Sequence, residues 1–403
     1  MKILYLNYSA DILQKMRIED VARGIQARGH QVIVEHMHPR IASIIRDAEK
    51  KKKDAYVSTK PGFSSKLPDN RWLLVTVGEI KRFLGNLYYL TKEFTLIRKH
   101  KPDFILTRLM PMWSIFLSSF ILRQKMVLDT DGPLREMFSY EVINIPRFYL
   151  KLEKFFIRKS KAISVISTKM KEFYASFGGD PNRIFISPNG INGNEFKPDL
   201  DASEVKDKYD LHDKTIIGFM GNLAPWHGLP GLLNQFPTLA AKYSDLVLLL
   251  VGFQLDWGNL PTSINKELLR FKDRVICTGR IPFQSMPYHL KAIDIFILPY
   301  PHMDFFYFSP VKLFESMGVG CADVAAGIGQ ISEVIEDGKD GLLFPAGDYE
   351  TMRRKIEVLI RNPGMRRELG EAAAEKIHNH YLWKQTTKGM IDAYYYAYGE
   401  AKE

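Results

Sequence analysis

Cysteine is nearly missing from this chain. Its 403 residues contain two, Cys277 and Cys321, with no metal-type spacing between them. A disulfide framework and a structural zinc site are thereby excluded as organising devices, and a reducing compartment fits. Long apolar runs are missing too. The longest, residues 109–122, falls short of the roughly 20 residues that a membrane-spanning helix needs, so a buried helix is predicted there. Neither a low-complexity tract nor an internal repeat is present, and the first residues read as a short strand soon followed by Asp11 rather than as a signal peptide. Acidic residues are scarce in one half only. Residues 1–200 hold 34 Lys+Arg against 20 Asp+Glu, or +14, which leaves −4 for the rest of a chain of net charge +10.

A basic half draws nucleic acid, anionic lipid or acidic substrates alike. Two clusters are dense enough to form patches: Lys50 to Lys53, and Lys151, Lys154, Arg158, Lys159 and Lys161. The second is interleaved with Leu152, Phe155, Phe156 and Ile157 at amphipathic spacing. Two readings stay open for it: a helix lying on a membrane surface, or a helix packed by its apolar face with a solvated basic back. Nothing resembles a nucleic-acid-binding module with interleaved aromatics, so no nucleic-acid partner is expected.

What is present is a repeated strand–loop–helix pattern, and the length suits two domains. Ile3 to Leu6, Phe104 to Arg108, Met126 to Asp129 and Ala162 to Ser167 read as strands of the first half. Thr215 to Met220, Leu246 to Val251, Val275 to Cys277 and Ile295 to Leu298 do so in the second. Residues 52–70, polar and with Pro61-Gly62, read as a mobile loop. Asp129-Thr130-Asp131 closes one strand, and Asp131 reads as an Asx-type turn residue or as a group facing a ligand.

The most informative stretch begins Tyr307-Phe308-Ser309-Pro310-Val311-Lys312-Leu313-Phe314-Glu315. Pro310 suits the first turn of a helix, and Leu313, Phe314 and Met317 recur on one helical face. Free amides and the positive end of the helix dipole then lie beside Ser309 to Lys312, a place for phosphate. Glu315, one turn on, is placed for the two hydroxyls of a ribose, unless it is an ordinary surface carboxylate.

This stretch, with the Gly-rich segments behind it, resembles the donor-binding region of the retaining GT-B glycosyltransferases of family 4, in their S-P-x-K-L-F-E variant. Ile186-Ser187-Pro188-Asn189-Gly190-Ile191 is similar to the segment that leads from their first domain to their second. Gly221 to Gly228 stands where these enzymes carry G-R-L-x-x-x-K-G, with Asn222 and His227 in place of the two phosphate-clasping cations. His227 is expected to be an ordinary imidazole with a pKa near ~6.5. The paired glutamates of the family, E-x7-E, would begin at 307, where Tyr307 stands. Asp131 occupies the position that often carries a histidine facing the donor sugar. In the strand after Gly320, Asp323 replaces an apolar residue and is expected to find a partner or to lie at an exposed strand end.

The resemblance implies an α/β fold of the GT-B type, two Rossmann-like domains facing across a cleft. Residues 1–199 would bind the acceptor and 200–383 the nucleotide sugar, with 384–403 packing back onto the first domain. It implies transfer of a sugar from a UDP- or GDP-sugar to a glycan or lipid-linked acceptor, without metal or other cofactor. The donor would be held by Gly221, Asn222, His227, Gly279, Arg280, Ser309, Pro310, Val311, Lys312 and Glu315. Asp131, Tyr307 and His227 would stand at the reacting centre. A cytoplasmic protein, peripheral on the inner face of the cell membrane, fits this picture. The changes at 222, 227 and 307 keep a second class open, a non-catalytic nucleotide-sugar-binding or scaffold protein on the same fold.

Overall fold

Short runs of branched and aromatic residues, stopped by glycine or polar turns, form twelve strands among the described residues of the computed structural model, which are 1–7, 12–36, 71–108, 113–133 and 146–399. The chain divides into two units, Met1–Pro188 with Thr386–Glu403, and Asn189–Gln385. The first unit holds β1 (Lys2–Asn7), β2 (Gln31–His36), β3 (Phe104–Arg108), β4 (Met126–Thr130), β5 (Ile163–Val165) and β6 (Ile184–Ile186), in the order β2-β1-β3-β4-β5-β6. The second holds β7 (Thr215–Met220), β8 (Leu246–Val251), β9 (Val275–Cys277), β10 (Ile295–Leu298), β11 (Ala322–Ala326) and β12 (Leu342–Phe344), in the order β12-β11-β10-β7-β8-β9.

All these pairings are parallel. Parallel sheets covered by helices on both faces bury both sides of each strand, which is why β8 is an unbroken Leu-Val-Leu-Leu-Leu-Val, every residue buried. In each unit the strand order reverses once, between β1 and β3 and between β7 and β10. Ligands of doubly wound sheets bind outside the carboxyl ends of strands at such a point.

The unit boundary falls at Pro188–Asn189 and not near residue 200. Residues just after it are already bound into the second unit. Ile191 bridges to Leu382, and Phe196 is buried in the second core. Near the other end, the expected single helix over 383–398 is two pieces, Trp383–Thr386 and Lys388–Tyr398. The latter belongs to the first unit, where Tyr394 stacks on Phe104 with ring centres 4.4 Å apart and Tyr398 Oη accepts the Met126 N–H at 2.7 Å. Gly389 is required there, because a Cβ would lie 2.4 Å from the Ile186 carbonyl oxygen.

Two apolar segments behave differently from expectation. Within 109–122 the helix is Ser114–Ile121, and it is not buried all round: Ser114, Ile115, Ser118 and Ser119 face inward while Phe120 is 82% exposed. The basic segment forms the helix Pro146–Lys159, whose Phe156 and Ile157 are buried and whose Phe155 is exposed. It therefore both packs and presents one aromatic outward. Lys50 to Lys53, the segment 52–70 and Asp11 lie outside the described residues.

Candidate functional site

The loop after β7 meets the segment after β10 at the reversal point of the second sheet. Gly228 makes this approach possible. Its φ of +67° is left-handed, and a Cβ would lie 1.7 Å from the Pro299 carbonyl oxygen. The loop is thereby pressed onto the end of β10, with Gly221 and His227 on one side and Tyr300 on the other. The helix Val311–Gly318 starts nearby, after Pro310 in extended conformation and without a side-chain cap; the Leu313 N–H donates to the Pro310 carbonyl at 3.0 Å, and the amides of Val311 and Lys312 before it keep their donor capacity.

Lys312 projects into this corner. Its Nζ is buried and makes no hydrogen bond. It lies 4.9 Å from the centre of the Phe219 ring and 6.0 Å from that of Tyr300. A Cβ on Gly221 would come within 2.9 Å of it, so glycine (φ +145°) leaves the space around the ammonium open. Burial pushes the Lys312 pKa down to about 7, against the opposing pull of Glu315 on the same helix. Cation–π contact recovers part of the lost hydration, but a buried ammonium without a hydrogen-bond partner is costly. An anion at this point would relieve it.

His227 closes the corner. Its Nδ1 lies 3.1 Å from the Asn222 carbonyl oxygen, which fixes the proton on Nδ1 and leaves Nε2 as an acceptor in the neutral ring. The ring packs edge-on against Phe219, Trp226 and Tyr300. Desolvation, then the neighbouring Lys312, push its pKa down to about 4. The expected ordinary imidazole is thus corrected: the ring is neutral at physiological pH. Neither cation-capable group of this corner is firmly charged at neutral pH.

The remaining expected residues fall as follows. Glu315 is buried, within electrostatic reach of Lys312. The Ser309 hydroxyl oxygen accepts the Asn189 N–H at 2.9 Å, and its carbonyl accepts Asn189 Nδ2 at 2.7 Å. Ser309 thus anchors the segment that enters the second unit. Val311 is exposed at the helix start, and Asn222 is exposed in the loop, its Oδ1 accepting the Ala224 N–H at 2.9 Å. Gly279 has a left-handed φ of +68°, and Arg280 after it is exposed. Tyr307 is buried in an aromatic row, its ring 4.4 Å from Phe308 and 5.2 Å from Phe305. Asp323 is fully buried and accepts the Ser316 hydroxyl at 2.6 Å, which is the expected partner; burial pushes its carboxyl well above the usual range.

Asp131 belongs to the first unit, just past β4, and is ion-paired to the buried Arg108 at the end of β3. Behind them Asp129 accepts from Tyr5 Oη at 2.7 Å and from Arg17 at 3.1 Å. Sequence reasoning missed Phe219, Tyr300 and Arg108 as parts of sites. The first two read as strand-end core residues. Arg108 carried a signal, a charged residue ending an otherwise apolar strand. Among the described residues no group of three or more His, Cys, Asp or Glu is arranged to hold a metal ion.

Comparison with known proteins divides the chain between two family models. One described as Glycosyltransferase Family 4 matches residues 15–195, and one described as Glycosyl transferases group 1 matches residues 214–362. Among curated relatives, the capsular polysaccharide biosynthesis glycosyltransferase CapM of Staphylococcus aureus is 24% identical over 88% of this chain and 94% of its own length. A GDP-mannose-dependent α-(1-6)-phosphatidylinositol monomannoside mannosyltransferase of Mycolicibacterium smegmatis is 24% identical over 55% of this chain and 59% of its own. Among solved structures, a glycosyltransferase from Rickettsia africae superposes with a TM-score of 0.70 at 17% identity, covering 99% of both chains. Anabaena HepE in complex with UDP does so with a TM-score of 0.69 at 18% identity, covering 97% of this chain and 99% of that one. The last two share the GT-B architecture with this chain.

Proposed function

With the chain established as a glycosyltransferase by its two domains, we propose that it transfers a sugar from a nucleoside diphosphate donor to a polysaccharide or lipid-linked acceptor, with retention of anomeric configuration. The single observation that carries the donor site is the buried, unpartnered Lys312 ammonium at the reversal point of the second sheet. A donor diphosphate supplies the missing counter-charge. The amides of Val311 and Lys312 and the loop from Gly221 to His227 surround the same point. Glu315 takes the ribose hydroxyls, and the backbone after Gly279, with Arg280, meets the base. Negative charge develops on the β-phosphate as the glycosidic bond breaks. A cation already held there in a dry site stabilises that charge more than it stabilises the ground state. In this reading the charge is met by side chains and main-chain amides alone, with no metal or cofactor.

The relatives support the substrate classes. HepE is seen with UDP, the mycobacterial enzyme is named for GDP-mannose and a phosphatidylinositol acceptor, and CapM for capsular polysaccharide. The acceptor belongs to the basic first unit, at the inner face of a membrane.

Thermal stability against a panel of UDP- and GDP-sugars tests the reading, since a ligand that binds only the folded state raises the melting temperature. One donor is expected to raise Tm, and Glu315→Gln to abolish that rise without lowering the Tm of the ligand-free protein. No rise with any donor would remove the transferase reading in favour of a scaffold.

A further inference from the structure

Two neighbouring helices of the first unit, Arg71–His100 and Ser114–Ile121, bury Tyr89, Ile97 and Ile115 in a shared apolar cluster and carry a second apolar surface outward. Between them lies an enclosed polar cluster. Ser114 and Ser118 each donate to Glu93, at 2.8 and 2.9 Å, and the Ser114 N–H donates to Asn86 Oδ1 at 3.1 Å, with Asn86 and Glu93 fully enclosed. Part of their outer surface is apolar. Phe83, Leu84 and Leu87 follow one another on a single face of the long helix, and Leu117, Phe120 and Ile121 on a single face of the short one. Phe83 is 54%, Leu84 57% and Phe120 82% exposed, values typical of charged residues and not of phenylalanine or leucine. A helix pair in water buries the apolar side and solvates the polar one. This arrangement suits apolar surroundings, where the enclosed cluster must satisfy its own hydrogen bonds.

The charge around it selects the surroundings. The Pro146–Lys159 helix joins the pair through Phe156, which stacks on Phe116 of the short helix. It adds exposed Phe155 beside Lys151, Lys154 and Lys159. An apolar face flanked by cations matches a bilayer whose surface is anionic: the aromatics enter the acyl boundary and the lysines meet the headgroups. Among the described residues no helix is long and apolar enough to cross a membrane, and a contact of this kind lies in the interfacial plane.

We propose that the outer face formed by Phe83, Leu84, Leu87, Leu117, Phe120 and Ile121 inserts into the interface of an anionic membrane, beside the basic Pro146–Lys159 helix. This deepens the lipid-linked acceptor reading by naming the surface that holds the first unit against its substrate, and it rests on that reading.

The test uses the full chain and vesicles of phosphatidylcholine with or without phosphatidylglycerol, in co-sedimentation at 0.1 and 0.5 M NaCl. Wild type is expected to bind anionic vesicles at low salt and to keep a measurable fraction bound at high salt, because insertion is not screened. Leu84→Glu/Phe120→Glu is expected to lower binding at least tenfold at high salt. Lys151→Gln/Lys154→Gln is expected to weaken it at low salt only. Both variants change exposed side chains, and an unchanged Tm confirms that each is folded. Equal binding by wild type and the Glu variant overturns the proposal. So does absence of wild-type binding, or a wild-type dimer in sedimentation velocity that the Glu variant dissolves, since a second copy would then occupy the face. The donor-induced rise in Tm is read without vesicles, so failure here leaves the donor site standing, and failure there leaves this face standing.

Discussion

Replacing Lys312 by methionine should make the ligand-free protein more stable at pH 6 and equally stable near pH 10. The folded protein holds this lysine at about 7, while the unfolded chain returns it to 10.5. Below pH 7 both states carry the proton, and the full penalty of a dry, unpartnered ammonium opposes folding. Between pH 7 and 10.5 the unfolded state binds more protons than the folded one, so stability rises with pH through that window. At about 1.36 kcal/mol per pH unit, the gap between 10.5 and about 7 sets an upper bound of about 5 kcal/mol. Methionine fills nearly the same volume beside Phe219 and Tyr300 and removes the charge. For a unit of this size about 2–4 °C of Tm per kcal/mol applies, so a realised gain of about 2–3 kcal/mol raises Tm by roughly 5–10 °C at pH 6. Urea unfolding at pH 6, 8 and 10 on wild type and Lys312→Met is the assay. The gap should close as pH rises, and the variant should lose its donor response at every pH. A variant no more stable than wild type at pH 6, or a gap independent of pH, would refute the argument that this lysine is held against its hydration. In wild type the same linkage makes donor binding above pH 7 take up a proton, because the diphosphate restores the charge on Lys312. Titration calorimetry in buffers of different ionisation enthalpy reads that proton directly.

His227, held at about 4 in the folded state against an unfolded value near ~6.5, has the same sign in a lower window. Stability should fall as pH drops from about 6.5 toward 4, and His227→Gln should flatten that limb of the Tm profile by roughly 1–2 kcal/mol, less than full burial would give because the ring is partly exposed. Asp323 has the opposite sign. Its folded carboxyl is raised by burial, so its ionisation in the unfolded chain opposes folding at neutral pH. Asp323→Asn keeps a partner for the Ser316 hydroxyl and should stabilise by about 1–3 kcal/mol at pH 7, with the gain vanishing near pH 4; a loss of stability at pH 7 would show that the carboxylate is ionised after all.

The sheets were legible because a parallel strand covered on both faces leaves an unbroken apolar run, as in Leu246 to Val251, and the turns after them carry glycine for geometric reasons. The phosphate corner was legible where local chemistry defines it: Pro310 starting a helix, Lys312 and Glu315 one turn apart, Gly221 and Gly228 where backbone must pass close to other atoms. What escaped was set by distant partners. No local signal says that Phe219 and Tyr300, 81 residues apart in number, enclose the Lys312 ammonium, and their enclosure is what lowers its pKa. No local signal distinguishes Ser114 to Ile121 as a helix with its serines inward, because the deciding groups, Asn86 and Glu93, lie on another helix. In both places a charged or polar group is enclosed while its surroundings leave a demand unmet, an anion in the first case and an apolar phase in the second. Packing alone would have selected leucine at 312 and exchanged the serines of 114 and 118 for Leu117 and Phe120. The residues that disagree with packing are therefore the ones on which the two proposals rest, an anion at the corner of the second sheet and an anionic bilayer at the outer face of the first unit.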